Sequence, residues 1–553
     1  DAINAVQDTA WRVNPQVLQV MEDVWVMGGG IAGIPDANPA PIPPKPAMVD
    51  LSVDRAGWSD EWKAEWKAWK KAASRVHVAN QGAGSKRLSI LACLSVARQF
   101  KDDAAIYFPH QLDFRGRLYA VPRTLNPQGA DYAKGLLEFS EGIELGTQGA
   151  ADWLAIHGAN TWGYDKVSLA DRVAWVRENQ ARILSVAERP ADDLWWVDAD
   201  KPWQFLAFCF EWAGYVREGL AFKSRIPVAM DGSCNGLQIF GLILGDAEGG
   251  EAVNLLPRET PADIYTTVAE KVTTRLREIE AEGNTDDALL ARQWLSFGVT
   301  RKTTKRQVMV LPYGGTYRSC MEYTVEHIAE REQEVKEAMG RDFDRAQATP
   351  WPDGFFQAGN WLAKLIWEAI GETVTSAREC MEWLRKMAQL AAAEGLPVTW
   401  TTPVGFPVLQ EYRETKLHQV DSIFLGVRCR PTLAEETKKL DKRRQSTGIS
   451  PNFVHSLDAA ALMLSVEKAV KSGVSSFGMI HDSYATHAAK TPLLARALRE
   501  AFVEMFTERD VLVEFRDHIQ ALLSRTAMEK IPALPPKGSL DVSKVLESPF
   551  FFA

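Results

Sequence analysis

The sequence lacks the side-chain patterns that mark disulfide-rich, zinc-binding and P-loop proteins. Its six cysteines are scattered along 553 residues without a Cys-x-x-Cys pair, which predicts reduced thiols in a cytosol-like compartment. The nine histidines have no paired spacing, and neither a zinc-finger nor a His-Glu-x-x-His motif occurs, so no zinc site is expected. The absence of Gly-x-x-x-x-Gly-Lys-Ser/Thr and of Gly-x-Ser-x-Gly excludes a P-loop and a serine-hydrolase nucleophile turn.

Long apolar stretches and a positive net charge are also lacking. No run of about 18 uncharged apolar residues is present, so no membrane span is predicted, and the first residues do not resemble a signal peptide. The 63 basic and 72 acidic side chains give a formal net charge of −9, which excludes a generally basic nucleic-acid binder but permits a locally basic cleft. With 46% apolar residues the chain can bury a large core, and its length predicts about three or four packed units.

Local patterns predict a mixed α/β fold that is rich in helix. Residues 28–49 are rich in glycine and then in proline, which is typical of a connector, and Ser59 opens a helix with a stripe of tryptophans. Residues 260–345 are predicted to be mostly helical, and alternation over 397–432 predicts a β-hairpin. The lysines beside the tryptophan stripe are interpreted either as a solvated face or as phosphate contacts: Lys63, Lys67, Lys70 and Lys71.

Two aspartates stand at the ends of short apolar segments. Residues 226–230 and 476–480 are predicted to be buried strands, the first ending at Asp231 and the second leading into Asp482. A carboxylate at the end of a buried strand is unfavourable unless it binds a partner, and a divalent cation is the usual one. Either aspartate alone is better explained as a turn or cap residue. Two that converge would fit a two-metal phosphoryl-transfer site.

A basic helix supplies the phosphate-binding element that such a site needs. At 100° per residue, Arg301 and Lys305 project about 40° apart on one helical face, where two cations can grip a triphosphate. Tyr313 lies two turns further along, in reach of the base or sugar of the same nucleotide. The alternative is a basic surface helix. It is weakened by four cations that stand within six positions without an acidic residue: Arg301, Lys302, Lys305 and Arg306.

With these motifs the chain resembles the single-subunit RNA polymerases of T-odd bacteriophages, which have relatives in mitochondria. The resemblance runs over essentially the whole chain, and the helix from Arg301 to Gly314 and the final Phe-Phe-Ala are part of it. The other matching segments are FPHQLDFRGRLYAVP (108–122), NPQGADYAKGLL (126–137), IHGANTWGYDK (156–166), FLAFCFEWAG (205–214), MDGSCNGLQ (230–238), PNFVHSLDAA (451–460) and IHDSYAT (480–486).

The resemblance implies a right-hand polymerase fold with palm, fingers and thumb, and the activity of a DNA-directed RNA polymerase. Two Mg²⁺ ions would be held by Asp231, Asp482 and the backbone carbonyl of Gly232. A DNA template, an RNA transcript and ribonucleoside triphosphates would be the partners of a monomer in the cytoplasm of an infected bacterium. The implied divisions are a connecting segment (1–20), thumb (21–100), palm with inserted helices (101–295), fingers (296–395), promoter-specificity hairpin (396–432), and the rest of fingers and palm with a C-terminal foot (433–553).

The resemblance also implies roles for individual side chains. Arg301, Lys305 and Lys166 would contact the triphosphate, and Lys305 would also protonate the pyrophosphate. Tyr313 would help to select ribose, supported by His455. The implied further contacts are Tyr265 near the nucleotide, and Arg115, Arg117, Lys134 and Arg306 along the nucleic acid.

Three positions depart from the family pattern. Pro312 stands before Tyr313, and since proline lacks an N–H and disfavours helical geometry in the preceding residue, the helix is expected to end at Leu311 with a stiffer hinge beside Tyr313. Leu457 and Ile239 replace polar residues and are expected to change local hydrogen bonding only. The chain starts just before the implied thumb, so a promoter-opening domain is expected to be missing, and initiation on closed duplex promoters is expected to be poor.

Two alternatives from other functional classes remain open. Related DNA polymerases share Arg-x3-Lys-x7-Tyr-Gly but place a glutamate near the first metal aspartate as a barrier to the 2′-hydroxyl. Here Gly236 follows Asp231 without an acid nearby, which favours ribose. A catalytically inactive nucleic-acid-binding fragment is the second alternative, although both aspartates and the Arg/Lys/Tyr set are present.

Overall fold

The computed structural model describes residues 1–49, 52–339, 344–351, 354–424 and 426–553, and it confirms a mixed α/β fold that is rich in helix. Most of the chain lies in helices, while the strands have between two and nine residues. No helix within the described ranges is long and apolar enough to cross a membrane.

One long helix dominates the first hundred residues. Ser59 caps it as predicted, since its side chain accepts a hydrogen bond from the Trp62 N–H at 3.1 Å. The tryptophan stripe packs against the proline-rich connector: the rings of Trp66 and Trp69 lie 4.6 Å apart, and the Trp69 indole donates to the Pro43 carbonyl. The four lysines beside it are exposed, and their phosphate contact stays a prediction. The elements are α1 (Ala2–Gln7), β1 (Trp11–Val13), α2 (Pro15–Val26) and α3 (Asp60–Phe100).

The next region is held together by large aromatic side chains. Trp196, Trp203, Phe205 and Phe208 are fully buried, and the Trp203 indole donates to the Ala32 carbonyl at 2.9 Å. This core holds in place the helices that precede Asp231 in the chain. The elements are β2 (His110–Leu112), β3 (Leu118–Ala120), α4 (Asp131–Gly135), β4 (Leu137–Phe139), β5 (Ile143–Glu144), α5 (Gln148–Trp162), α6 (Leu169–Glu178), α7 (Gln180–Glu188), α8 (Pro202–Glu218), β6 (Lys223–Ser224), β7 (Val228–Asp231), α9 (Asn235–Leu244) and α10 (Ala247–Ala252).

The predicted helical region over 260–345 is confirmed wherever the structure describes it; residues 340–343 lie outside the described residues. A second large core holds these helices to the C-terminal ones, with Trp294, Ile366 and Leu384 among its fully buried side chains. The elements are α11 (Ile264–Ala281), α12 (Asp286–Phe297), α13 (Arg301–Val310), α14 (Tyr317–Met339), α15 (Arg345–Ala348), α16 (Phe356–Thr373) and α17 (Thr375–Ala393).

The alternating segment forms three antiparallel strand pairs: the first is a separate hairpin, and the third lies within the second. They are β8 (Val398–Thr401) with β9 (Pro407–Gln410), β10 (Arg413–Gln419) with β13 (Thr432–Leu440), and β11 (Ser422–Phe424) with β12 (Val427–Cys429). Residue 425 lies outside the described residues. The returning strand continues to Leu440, which pairs with Arg413, so the paired segment extends past the predicted boundary at residue 432.

The two predicted short strands meet in one sheet. The last elements of the chain are α18 (Lys442–Lys471), β14 (Gly478–Ile480), β15 (Ser483–Thr486), α19 (Thr491–Glu508), α20 (Val511–Leu522) and α21 (Arg525–Met528). The sheet is antiparallel with the strand order β14-β15-β7. Its inward side chains Met230, Met479 and Tyr484 are buried, which explains the apolar character of both segments.

Candidate active site

The structure brings Asp231 and Asp482 together at one edge of the three-stranded sheet. Asp231 is the last residue of β7 and pairs with Ser483, the first residue of β15, so the two aspartates emerge from adjacent strands. The Gly232 N–H donates to the Asp482 carbonyl at 3.2 Å and ties the two strand ends together. His481, in the turn before Asp482, has the left-handed φ of 49°, a strained conformation for a side-chain-bearing residue.

The two carboxylates differ in their electrostatic environment. Burial raises the pKa of Asp482, and the neighbouring Asp231 carboxylate raises it too, while the Arg117 guanidinium opposes both. Partial burial acts to raise the pKa of Asp231 as well, although solvent reaches its carboxylate. The ammonium of Lys201, 3.5 Å away, and the Ser483 hydroxyl outweigh that effect and hold the pKa of Asp231 below its ordinary value.

This donor set fits a divalent cation that is completed by other ligands. Adjacent carboxylates that repel each other are favourable oxygen donors for Mg²⁺, which usually keeps several waters and binds through one or two carboxylates plus substrate phosphates. Within the described ranges no group of three His, Cys, Asp or Glu side chains could hold a metal by itself. A cation here would therefore need backbone, water or phosphate oxygens in addition to Asp231 and Asp482.

A pocket of about 310 Å³ lies beside Asp231, and it is lined by the side chains that were predicted to bind phosphate. Lys166, Arg301 and Lys305 line it together with Tyr265. Arg301 donates to the Asp263 carboxylate at 2.7 Å, and its guanidinium lies 5.0 Å from the centroid of the Tyr265 ring. Burial lowers the pKa of Lys305, as do the positive charges of Arg301 and Lys166. Such crowding of like charges favours the binding of an anion in the pocket.

A buried arginine fixes the loop that carries Lys166. The Arg172 guanidinium donates to the Asn160 side chain and to the Asp165 carbonyl, both at 2.8 Å. Lys166 itself pairs with Asp165 at 2.7 Å. Sequence reasoning missed Arg172, because an arginine at the fourth residue of a helix has no spacing signal that distinguishes it from a surface residue.

Tyr313 and His455 are in contact, and Arg115 joins them. A guanidinium nitrogen of Arg115 lies 2.7 Å from the His455 Nδ1, which fits a neutral imidazole that accepts a hydrogen bond. Burial and the charges of Arg117 and Arg115 lower the pKa of His455 far below its ordinary value. Arg115 is oriented in turn by the Asp113 carboxylate at 2.6 Å, a partner that sequence reasoning missed.

The helix that carries Arg301 and Lys305 ends as predicted, but not by the expected backbone change. α13 stops at Val310, and Leu311–Tyr313 continue as one 3-10 turn. The expectation that Pro312 drives Leu311 out of helical geometry was wrong: Leu311 has φ −54° and ψ −53°. The tighter turn accommodates the proline, because Pro312 stands in its first residues, where no N–H is needed.

Gly236 makes room for this turn. A Cβ atom at Gly236 would lie 2.8 Å from the Pro312 Cβ and 3.3 Å from the Tyr313 Cζ. The Ser450 hydroxyl donates to the Pro312 carbonyl at 2.9 Å and holds the turn from the other side. Ile239 and Leu457, the two other departures from the family pattern, are both buried in the hydrophobic core.

The side chains predicted to contact nucleic acid do not all lie beside the two aspartates. Arg117 is bound to Asp458, which is fully buried and was missed by sequence reasoning. Lys134 lines a smaller cavity of about 160 Å³ together with Asp231, Asp482 and Lys201. Arg306 instead faces away from this group and pairs with two glutamates of α14, Glu326 at 3.1 Å and Glu330 at 2.9 Å.

The chain is similar to polymerases of phages and plant organelles. The family model described as DNA-dependent RNA polymerase matches residues 143–530. The chain is 38% identical to the DNA-directed RNA polymerase of Enterobacteria phage T3 and to the T7 RNA polymerase of Escherichia phage T7, with the whole chain and 64% of each phage protein covered. It is 35% identical to the chloroplastic/mitochondrial DNA-directed RNA polymerase 2 of Nicotiana sylvestris, of which it covers 51%.

The chain thus spans slightly less than two thirds of the length of the two phage relatives. The match to the family model includes both aspartates, the basic helix and Tyr313, and it takes in well over half of the chain. On this match, the chain belongs to the DNA-dependent RNA polymerase family.

Proposed function

We propose that this chain joins ribonucleoside triphosphates on a DNA template, as the catalytic part of a DNA-directed RNA polymerase. One observation carries the proposal: two carboxylates on adjacent strand ends, Asp231 and Asp482, stand beside a pocket lined by Lys166, Arg301 and Lys305. Acidic groups for a cation and basic groups for a triphosphate are the two halves of a nucleotidyl-transfer site.

The architecture that goes with this proposal is a right hand. The three-stranded sheet and its helices form the palm, α13 and the helices around it form the fingers, and α3 with its proline-rich connector forms the thumb. The β10–β13 arm is the promoter-specificity hairpin. The exposed side chains near its tip support a role in contacting DNA: Leu417, Ile423, Phe424 and Val427.

In the proposed mechanism Asp231, Asp482 and the Gly232 carbonyl would hold two Mg²⁺ ions. Bound there, the ions would supply activation of the attacking hydroxyl and neutralisation of the charge on the leaving pyrophosphate. The side chains of Arg301, Lys305 and Lys166 bind the triphosphate and orient it towards the sheet edge. Lys305 gives a proton to the pyrophosphate, a role supported by its lowered pKa, which makes the ammonium a stronger acid.

Sugar selection is assigned to Tyr313, which His455 and Arg115 hold in place. The Tyr265 ring packs under Arg301 and keeps that guanidinium facing the pocket. Arg115, Arg117 and Lys134 contact the backbones of the template and transcript. Arg306 joins this set only if nucleic acid competes with its two glutamates.

The test is primer extension on an annealed RNA–DNA scaffold with Mg²⁺, comparing the four NTPs with the four dNTPs. We expect NTP-dependent extension that requires Mg²⁺ and is lost in Asp482→Asn. Extension that prefers dNTPs would favour the related DNA polymerases instead. Binding of the scaffold without extension by the folded wild-type chain would support the inactive nucleic-acid-binding fragment.

A further inference from the structure

Lys201 occupies a fixed position at the entrance to helix α8. Its backbone N–H donates to the Thr161 carbonyl at 3.0 Å, and Pro202 follows it as the first residue of the helix. From this anchored position the side chain extends into the cleft. It lines both the 310 Å³ pocket with Arg301 and Lys305 and the 160 Å³ cavity on the other side of Asp231.

The Lys201 ammonium forms an ion pair with Asp231 but not with Asp482. Its Nζ lies 3.5 Å from the Asp231 Oδ2, and within the described parts of the chain no other cation forms an ion pair with Asp231. Asp482 has no ion pair with any described residue. The two carboxylates are therefore unequal before any metal binds.

This ion pair is open to exchange. The Lys201 side chain is 42% exposed and that of Asp231 is 54% exposed, so both reach solvent. Ion pairs with this exposure are weak, because water and dissolved ions compete for each partner. A divalent cation that reaches Asp231 therefore meets a carboxylate whose charge Lys201 already balances, and the cation has to displace this loosely bound ammonium.

We infer that Lys201 is an internal counter-ion that competes with divalent metal for Asp231 and so weakens metal binding until a nucleotide is present. The inference rests on the proposed metal role of Asp231. The displaced ammonium stays in the pocket with Arg301 and Lys305, where the triphosphate is expected. An incoming nucleotide would therefore satisfy Lys201 with its phosphates and release Asp231 to the metal. Metal and nucleotide binding are thereby coupled.

The experiment is titration of the nucleotide-free protein with Mn²⁺, followed by the electron paramagnetic resonance signal of free Mn²⁺. We expect Lys201→Gln to bind Mn²⁺ about fivefold more tightly than wild type, which corresponds to about 1 kcal/mol. Lys201→Arg keeps the positive charge and should retain the wild-type affinity. Lys223→Gln, the same change at an exposed lysine away from the cleft, serves as the matched control.

Asp231→Asn separates this inference from the proposed function. If Asp231→Asn leaves Mn²⁺ binding unchanged, the metal role of Asp231 fails and the inference fails with it. If Asp231→Asn weakens binding but Lys201→Gln does not tighten it, only the counter-ion role of Lys201 is overturned. A second measurement adds ATP to the titration and corrects for the Mn²⁺ that ATP binds in a titration without protein: the gain in Mn²⁺ affinity of the protein caused by ATP should be smaller in Lys201→Gln than in wild type.

Discussion

The rings of Tyr313 and His455 lie against each other, with centroids 4.7 Å apart and planes inclined by 36°, although the two residues are far apart in the sequence. Tyr313 ends the turn after the basic helix, and His455 lies on α18. Both side chains are partly buried, and the Arg115 guanidinium closes the group. The tyrosine hydroxyl is thereby presented on a ring that cannot move freely.

Tyr313→Phe should weaken the preference for ribonucleotides. Phenylalanine keeps the ring contact with His455 but loses the hydroxyl, and a hydrogen bond that discriminates the sugar contributes about 1.5 kcal/mol. We therefore expect the ratio of NTP to dNTP incorporation to fall about tenfold. Tyr317→Phe removes a hydroxyl that bonds to Asn360 outside the pocket and should leave this ratio unchanged. An unchanged ratio in Tyr313→Phe would remove the hydroxyl from sugar selection.

Gly236→Ala should destabilise the protein, because the added Cβ atom would lie 2.8 Å from the Pro312 Cβ. Forcing an extra carbon into a packed site costs about 1–3 kcal/mol, so the melting temperature should fall. Gly82→Ala provides the matched control, since nothing lies within 4 Å of its Cβ position in the middle of α3. There alanine should raise the melting temperature slightly, because it is the better helix former. Equal effects of the two substitutions would contradict close packing at Gly236.

Pro312→Ala tests the hinge beside Tyr313. Proline fixes its own φ, so alanine should let the 3-10 turn from Leu311 to Tyr313 relax towards a continuous helix. We expect a change in the elongation rate or in the NTP to dNTP ratio, measured on the same scaffold. If both stay at wild-type values, the proline does not affect nucleotide loading.

Lys305→Met should impair catalysis much more than the same substitution at Lys302. Lys305 lines the pocket, whereas Lys302 pairs with Glu334 of α14 at 2.5 Å. A positioned proton donor contributes about 100-fold or more to a rate, so single-nucleotide addition at saturating NTP should slow by that factor in Lys305→Met. A comparable loss in Lys302→Met would show that general positive charge, rather than the position of Lys305, matters.

The buried His487 should make stability sensitive to acid. Burial lowers the pKa of His487 to about 4, although its hydrogen bond to the Glu141 carbonyl opposes the shift. In the unfolded chain the imidazole gains its proton near pH 6.5, so stability is lost as the pH falls from about 6.5 to about 4. The loss is about 1.4 kcal/mol per pH unit for a histidine that stays neutral when folded.

The contribution of His487 is best measured as a difference between variants, because Glu211 has the opposite effect on how stability depends on pH. Burial raises the pKa of Glu211 to about 7, so its contribution to stability grows as the pH falls below that value. The melting temperature of wild type should therefore drop more between pH 7.5 and pH 5 than that of His487→Gln. The same substitution at the exposed His77 should follow wild type. Parallel curves for wild type and His487→Gln would show that His487 is not the acid-sensitive group.

The sequence alone determined the elements that depend on local spacing. The strands that lead to Asp231 and Asp482 were predictable because a short apolar run between polar residues is typical of a buried strand. The face shared by Arg301 and Lys305 follows from helix geometry, and the cap at Ser59 follows from its side-chain chemistry. The family resemblance rested on the segments that carry Asp231, Asp482, Arg301 and Lys305, together with other matching segments along the chain.

Only the tertiary structure decided which distant groups meet. The ion pairs of Arg117 with Asp458, Arg301 with Asp263 and Lys201 with Asp231 join segments that have no common spacing in the sequence. The backbone at Leu311 also went against a local rule: it stays helical before a proline, and that proline packs against Gly236 and accepts a hydrogen bond from Ser450. Local preferences amount to about 1 kcal/mol per residue, and contacts made by folding outweigh them where several act on one turn.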